Sequence, residues 1–173
     1  MTSPLGRAVR MVLLFLVVGT VQTLLPQTWM PLGNIDGMMI AVGLVALRTS
    51  FNGAVWTGAL GGLIQDSLAG GIIGLHAFAK TAVAAGLALL ADSFAVRGRL
   101  AEAVIVATAT ALEGALVRAL LLFLGWPGAE SPAVLLTRAC VTGLVCGLGT
   151  VGLPFVVATW QRRRGGGGEL RWR

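Results

Sequence analysis

The chain has 173 residues, of which 56% are hydrophobic and only 12% carry a charge. Soluble domains have roughly a quarter of their residues charged, so the composition excludes an ordinary soluble domain. The 25 glycines agree with this conclusion, because glycine is more frequent in membrane helices than in soluble ones. We therefore expect an all-α integral membrane protein.

Six apolar blocks follow one another along the chain, separated by short polar segments. They run over Ala8–Leu25, Gly37–Leu47, Gly53–Gln65, Ile72–Ala91, Ala101–Gly125 and Ala133–Trp160. A membrane helix needs about 20 residues, so the first block, which Pro26 closes, and the last three are long enough. The second and third are short and could be tilted, re-entrant or extended into their polar flanks at Asp36 and Asp66. The pattern predicts one domain in residues 1–160, a bundle of about six transmembrane helices. Four or five spans with a re-entrant pair are the alternative.

Basic residues mark alternate ends of the blocks. The loops 26–36, 66–71 and 126–132 contain no Lys or Arg. Ten of the thirteen basic residues flank the other ends, namely Arg7, Arg10, Arg48, Arg97, Arg99, Arg162, Arg163, Arg164, Arg171 and Arg173. The positive-inside rule places these ends, and with them both termini, in the cytoplasm. Because the charges are juxtamembrane, the net charge of +6 indicates contact with anionic membrane lipid and predicts no nucleic-acid partner.

The two ends of the chain allow more than one interpretation. Residues 161–173 combine arginines with four consecutive glycines, which predicts a flexible basic cytoplasmic tail. Anionic lipid is its expected contact, and a cytoplasmic protein is the alternative. At the other end, two arginines precede an apolar run, as in a secretory signal. No small-x-small cleavage site follows, so we expect an uncleaved first span.

The segment from Gly58 to Lys80 predicts a tight helical hairpin. Glycines four residues apart let helix backbones approach closely, and glycines in the turn permit positive φ. A glutamine and an aspartate form a polar stop after the first helix, and a histidine lies early in the second. The residues in these roles are Gly58, Gly62, Gln65, Asp66, Gly70, Gly71, Gly74 and His76. We expect Asp66 to cap the turn and His76 to be a hydrogen-bonded packing residue.

The stretch from 62 to 77 closely resembles the central signature of the rod shape-determining protein MreD family. Gly62, Asp66, Gly70, Gly74 and the Leu-His-Ala at 75–77 occupy the matching places. Chain length, six blocks, cytoplasmic termini and an arginine ending the second block also agree. The resemblance implies a non-catalytic, multi-pass subunit of the bacterial cytoplasmic (inner) membrane, belonging to the machinery of cell elongation and peptidoglycan synthesis. Its implied partners are MreC, a single-span protein, and possibly the polymerase RodA with its penicillin-binding transpeptidase.

Four charged residues lie well inside the blocks, away from the block ends, namely Lys80, Glu113, Arg118 and Arg138. Each charge near the centre of a membrane helix costs about 2.5–3.5 kcal/mol on insertion scales, so such residues normally have partners. We expect an interhelical polar lock in which Glu113 pairs with Lys80, Arg138 or both. An anion-accepting pocket open to the periplasm, or a contact for an acidic residue on a partner helix, is the alternative.

No arrangement of residues predicts an enzyme. The sequence has no Ser/His/Asp set, no metal-binding H-E-x-x-H and no phosphate loop. The single histidine has no cysteine pair beside it, so neither a metal nor a cofactor is expected, and both cysteines are interpreted as small apolar filler.

Two functional hypotheses follow, a non-catalytic scaffold that binds partner helices and a solute-binding subunit of a vitamin-type transporter. The second rests on a fold-level resemblance of the family to the substrate-binding subunits of energy-coupling-factor transporters. The loop 26–36 and the outer positive charges would serve such a subunit. Against it, only 6% of residues are aromatic and none is tyrosine, which leaves little to line a vitamin site.

Overall fold

The computed structural model describes residues 4–28, 35–70, 72–93, 98–126 and 131–165. Within these ranges the chain is helical, with turns between the helices and no strand. The helices are α1 (Pro4–Thr28), α2 (Gly37–Ala46), α3 (Phe51–Ala69), α4 (Leu75–Ser93), α5 (Arg99–Phe123) and α6 (Pro132–Gly165). The expected all-helical architecture is therefore present.

The helices differ from the apolar blocks at their ends. Pro26 does not close the first helix, since α1 continues to Thr28. Proline has no N–H to donate to the carbonyl of residue 22, and α1 ends two residues after it. The sixth helix continues through the arginines at 162–164 to Gly165, so the basic run at the start of the expected tail is helical. Residues 166–173 lie outside the described part of the chain.

The shortest helix, α2, is the centre of the bundle. It packs against each of the other five helices, and a helix that is apolar all round is suited to such a position. Met38, Met39 and Val42 of α2 are fully buried. Phe15 of α1 and Val83 of α4 belong to the same apolar core. The other helices therefore surround a helix of only 10 residues.

The α3–α4 hairpin is closed by direct backbone contact. A Cβ atom placed on Gly58 would lie 2.6 Å from the carbonyl oxygen of Lys80. One placed on Gly62 would lie 2.5 Å from both the amide nitrogen of Ala77 and the carbonyl oxygen of His76. Real Cβ atoms do not approach backbone atoms so closely, so only glycine permits this separation of the two helices.

Three of the helices are long and apolar enough to cross a membrane, namely those with the spans Leu75–Ser93, Leu100–Phe123 and Pro132–Thr150. The described apolar part of α1, Val9–Leu24, and the whole of α2 are shorter. With 10 residues, α2 is about 15 Å long, roughly half of the ~30 Å hydrocarbon core. Large apolar side chains are exposed around the bundle, up to 89% for Phe123. These features give the protein a membrane-like helical character.

Candidate functional site

Lys80 lies at the centre of a buried cluster of three charged residues, which we call the ion triad (Asp36, Lys80 and Glu113). Its Nζ donates hydrogen bonds to Asp36 Oδ2 and to Glu113 Oε1, both at 3.1 Å. The lysine side chain has no exposed surface, and each carboxylate side chain is 3% exposed. Since a buried charge is tolerated only when it is paired and hydrogen-bonded, the triad links the chain at the start of α2 to α4 and α5. The contact between Glu113 and Lys80 is the pairing expected from the sequence.

Asp36 is the member of the triad that the sequence analysis did not include. It is the N-cap of α2, and its Oδ1 accepts the backbone N–H of Met39 at 2.7 Å. Its own backbone N–H donates to Thr142 Oγ1 on α6 at 2.9 Å. One residue therefore caps the central helix, neutralises Lys80 and binds α6. The sequence places three cations but only one carboxylate inside the blocks, so a second acid is needed to balance the charge. Asp36 was not considered for this role because it lies outside the blocks, as a polar flank.

Asp66 closes the hairpin at the end of α3. Its carboxylate accepts backbone N–H groups of Gly74 at 2.8 Å, of His76 at 3.1 Å and of Ala77 at 3.2 Å. His76 Nδ1 lies 2.9 Å from Asp66 Oδ1, so the ring donates to the same carboxylate. These bonds satisfy amides at the start of α4, which otherwise have no intrahelical partner. Asp66 thus has the capping geometry expected for it.

The turn of the hairpin depends on glycines at the expected places. Gly70 ends α3 in the left-handed region, with φ of 66°, and Gly74 has φ of 100° before α4 begins. Other residues rarely adopt these conformations. Gly71 lies outside the described residues. Gln65 is next to the carboxylate cap, and its buried Oε1 has no hydrogen-bond partner among the described atoms.

Next to the ion triad is a cavity of about 170 Å³, which we call the arginine cavity. Its polar wall consists of Arg118 from α5, Arg138 from α6, Glu113 and His76, and its apolar wall includes Leu135. Both arginines are half-buried and both take part in further interactions. With two guanidinium groups and one carboxylate, the wall has an excess of positive formal charge. The cavity can hold a small anion beside the ion triad.

A second ion pair lies at the opposite end of α2. Arg48 Nη2 donates to Glu102 Oε1 at 2.7 Å, and the arginine side chain is 57% exposed. The contact joins the turn after α2 to the first turn of α5. Alternate helices therefore run in opposite directions between an end marked by Arg48 and an end marked by Asp66.

Within the described ranges, no group of three or more His, Cys, Asp or Glu side chains is arranged to bind a metal. Comparisons with protein-family models, with curated proteins and with solved structures found no match. The functional argument therefore depends on the residues and geometry of this chain.

Proposed function

We propose that the protein is a non-catalytic, multi-pass membrane subunit of the bacterial cell-elongation and peptidoglycan-synthesis machinery, similar to MreD. The observation that carries the proposal is the hairpin. Gly58 and Gly62 permit backbone contact between α3 and α4, and Asp66 accepts four hydrogen bonds within the turn. The motif that resembles the family thus builds a closely packed, hydrogen-bonded hairpin. Such an element suits a subunit that presents its surface to other membrane proteins.

The size of the arginine cavity supports a scaffold over a vitamin-binding subunit. Sites for drug-sized ligands and cofactors usually occupy about 300–1,000 Å³ and are lined by aromatic side chains. The cavity here is about 170 Å³, and no Phe, Tyr or Trp side chain is among the residues that line it. It has no room for a vitamin-sized molecule. The proposed partners, which the resemblance implies, are an MreC-like single-span protein and, with it, the RodA polymerase and its transpeptidase.

The proposed topology has about six membrane segments, with both termini on the cytoplasmic side. The contact between Arg48 and Glu102 supports it, because it brings the turn after α2 and the start of α5 to one end, where the basic residues cluster. Reporter fusions after residues 48, 98, 128 and 165 test this arrangement. We expect a cytoplasmic signal at 48, 98 and 165 and an external signal at 128; external signals at 48 or 98 would contradict it.

Affinity capture of the tagged chain from gently solubilised membranes, followed by mass spectrometry, tests the function. We expect recovery of an MreC-like protein or of the polymerase and transpeptidase pair. Gly62→Ala should reduce that recovery, because its methyl group meets the α4 backbone. Gly86→Ala is the matched control, since nothing lies within 4 Å of a Cβ there. Recovery of an ATPase pair with a coupling membrane subunit would instead make the chain a transporter subunit.

A further inference from the structure

The arginine cavity combines two cationic side chains with an apolar rim. Arg118 comes from α5 and Arg138 from α6, and both line the cavity. Guanidinium groups bind phosphate oxygens through pairs of parallel hydrogen bonds, and arginine is the preferred residue for that geometry. The carboxylate in the wall, Glu113, shares its charge with the buried Lys80, which limits its repulsion of an anion.

The volume of the cavity limits the size of the chemical group that can enter it. At about 30 Å³ per water molecule in the liquid, 170 Å³ corresponds to about five or six waters. This space accommodates a phosphate group with little more attached to it. A larger ligand would leave the rest of its structure outside the cavity.

The surface beside the opening is suited to an apolar remainder. Leu121 and Leu135 line the cavity, and Leu124, one helical turn beyond Leu121, is exposed. A phosphate group bound by the guanidinium groups would leave the acyl chains of a lipid against these apolar side chains. From these observations we infer that the arginine cavity binds a phosphate-bearing anion, with phosphate between Arg118 and Arg138. The two sources of this chemistry are an anionic phospholipid, with its acyl chains on the apolar rim, and free phosphate.

This inference does not depend on the partner proteins proposed above, and its test uses a separate readout. The full chain, purified in detergent, is titrated with phosphatidylglycerol or phosphatidylcholine and its bound lipid is counted by native mass spectrometry. Inorganic phosphate is titrated separately, with the midpoint of thermal unfolding as the readout. We expect at least a tenfold preference for phosphatidylglycerol, or a dose-dependent rise in the midpoint with phosphate. The first result identifies a lipid source and the second a free anion.

Substitutions in the cavity wall test whether the anion binds in the arginine cavity. Arg118→Gln with Arg138→Gln should abolish the preference or the phosphate effect, and Val117→Phe should do the same by filling the cavity without changing its charge. Arg48→Gln, at the other end of the bundle, is the control and should bind as the wild type does. Size-exclusion elution checks that each variant is folded. If the double arginine variant is not folded, Val117→Phe alone tests the site. Equal binding of both lipids with no phosphate effect would overturn the inference, as would wild-type binding by Val117→Phe.

Discussion

Replacing Lys80 with alanine should be among the most damaging single changes in this protein. The substitution leaves Asp36 and Glu113 buried without the cation that bonds to both at 3.1 Å. Removing one partner of a buried ion pair costs about 3–5 kcal/mol, because the remaining charge is uncompensated. Arg48→Ala removes a cation from a pair whose arginine is 57% exposed, for which about 0.2–1 kcal/mol is typical. The loss of unfolding free energy in Lys80→Ala should therefore be several times the loss in Arg48→Ala.

Unfolding of the purified chain in mixed micelles, followed by circular dichroism, measures both free energies. A triple variant, Asp36→Asn with Lys80→Met and Glu113→Gln, separates charge from packing. It should recover most of the stability lost in Lys80→Ala, since neutral replacement of a whole buried cluster is often tolerated. If Lys80→Ala loses no more stability than Arg48→Ala, the ion triad does not stabilise the fold and the reasoning is wrong.

Three further outcomes are expected from the same preparation. Glu113→Ala should reduce folded yield more than Arg118→Ala, because Glu113 is a buried partner of the lysine, whereas Arg118 lines a cavity; equal yields would contradict this. Gly62→Ala should lower the unfolding free energy, whereas Gly86→Ala, which meets no atom within 4 Å, should leave it unchanged or raise it by up to about 1 kcal/mol through helix propensity. Asp66→Ala should speed amide hydrogen exchange in the first turn of α4 while leaving α5 unaffected, because it removes the acceptor of three backbone N–H groups.

Much of the candidate site could be anticipated because charges inside apolar blocks need partners. That rule predicted a cationic partner for Glu113, with Lys80 and Arg138 as the candidates. It could not identify Asp36, because the residue lies before an apolar block and a polar flank normally faces water. Only the central position of α2, among all the other helices, buries its N-cap and turns Asp36 towards the lysine. Tertiary packing, which composition does not encode, decided that contact.

Helix ends were harder to predict than helix positions. Hydropathy reports where side chains are apolar, whereas a helix continues as long as its backbone bonds are made. This difference explains why α3 extends beyond its block at both ends, to Phe51 and Ala69, and why α6 includes the arginines of the expected tail. The turn of the hairpin was predictable for the opposite reason, since positive φ requires particular residues, and Gly70 and Gly74 supply them.

The second turn of α4 joins features that are separate in the sequence. The carbonyl oxygen of Lys80 is the atom that a Cβ at Gly58 would meet first, so glycine there fixes how close the lysine backbone lies to α3. The side chain of the same lysine then bonds to Asp36 and Glu113, and Glu113 also forms part of the wall of the arginine cavity. A shift of α4 away from α3 would therefore move Lys80 relative to both carboxylates. The glycine motif, the ion triad and the cavity are consequently coupled, because the close packing of α3 and α4 determines where the charged groups lie.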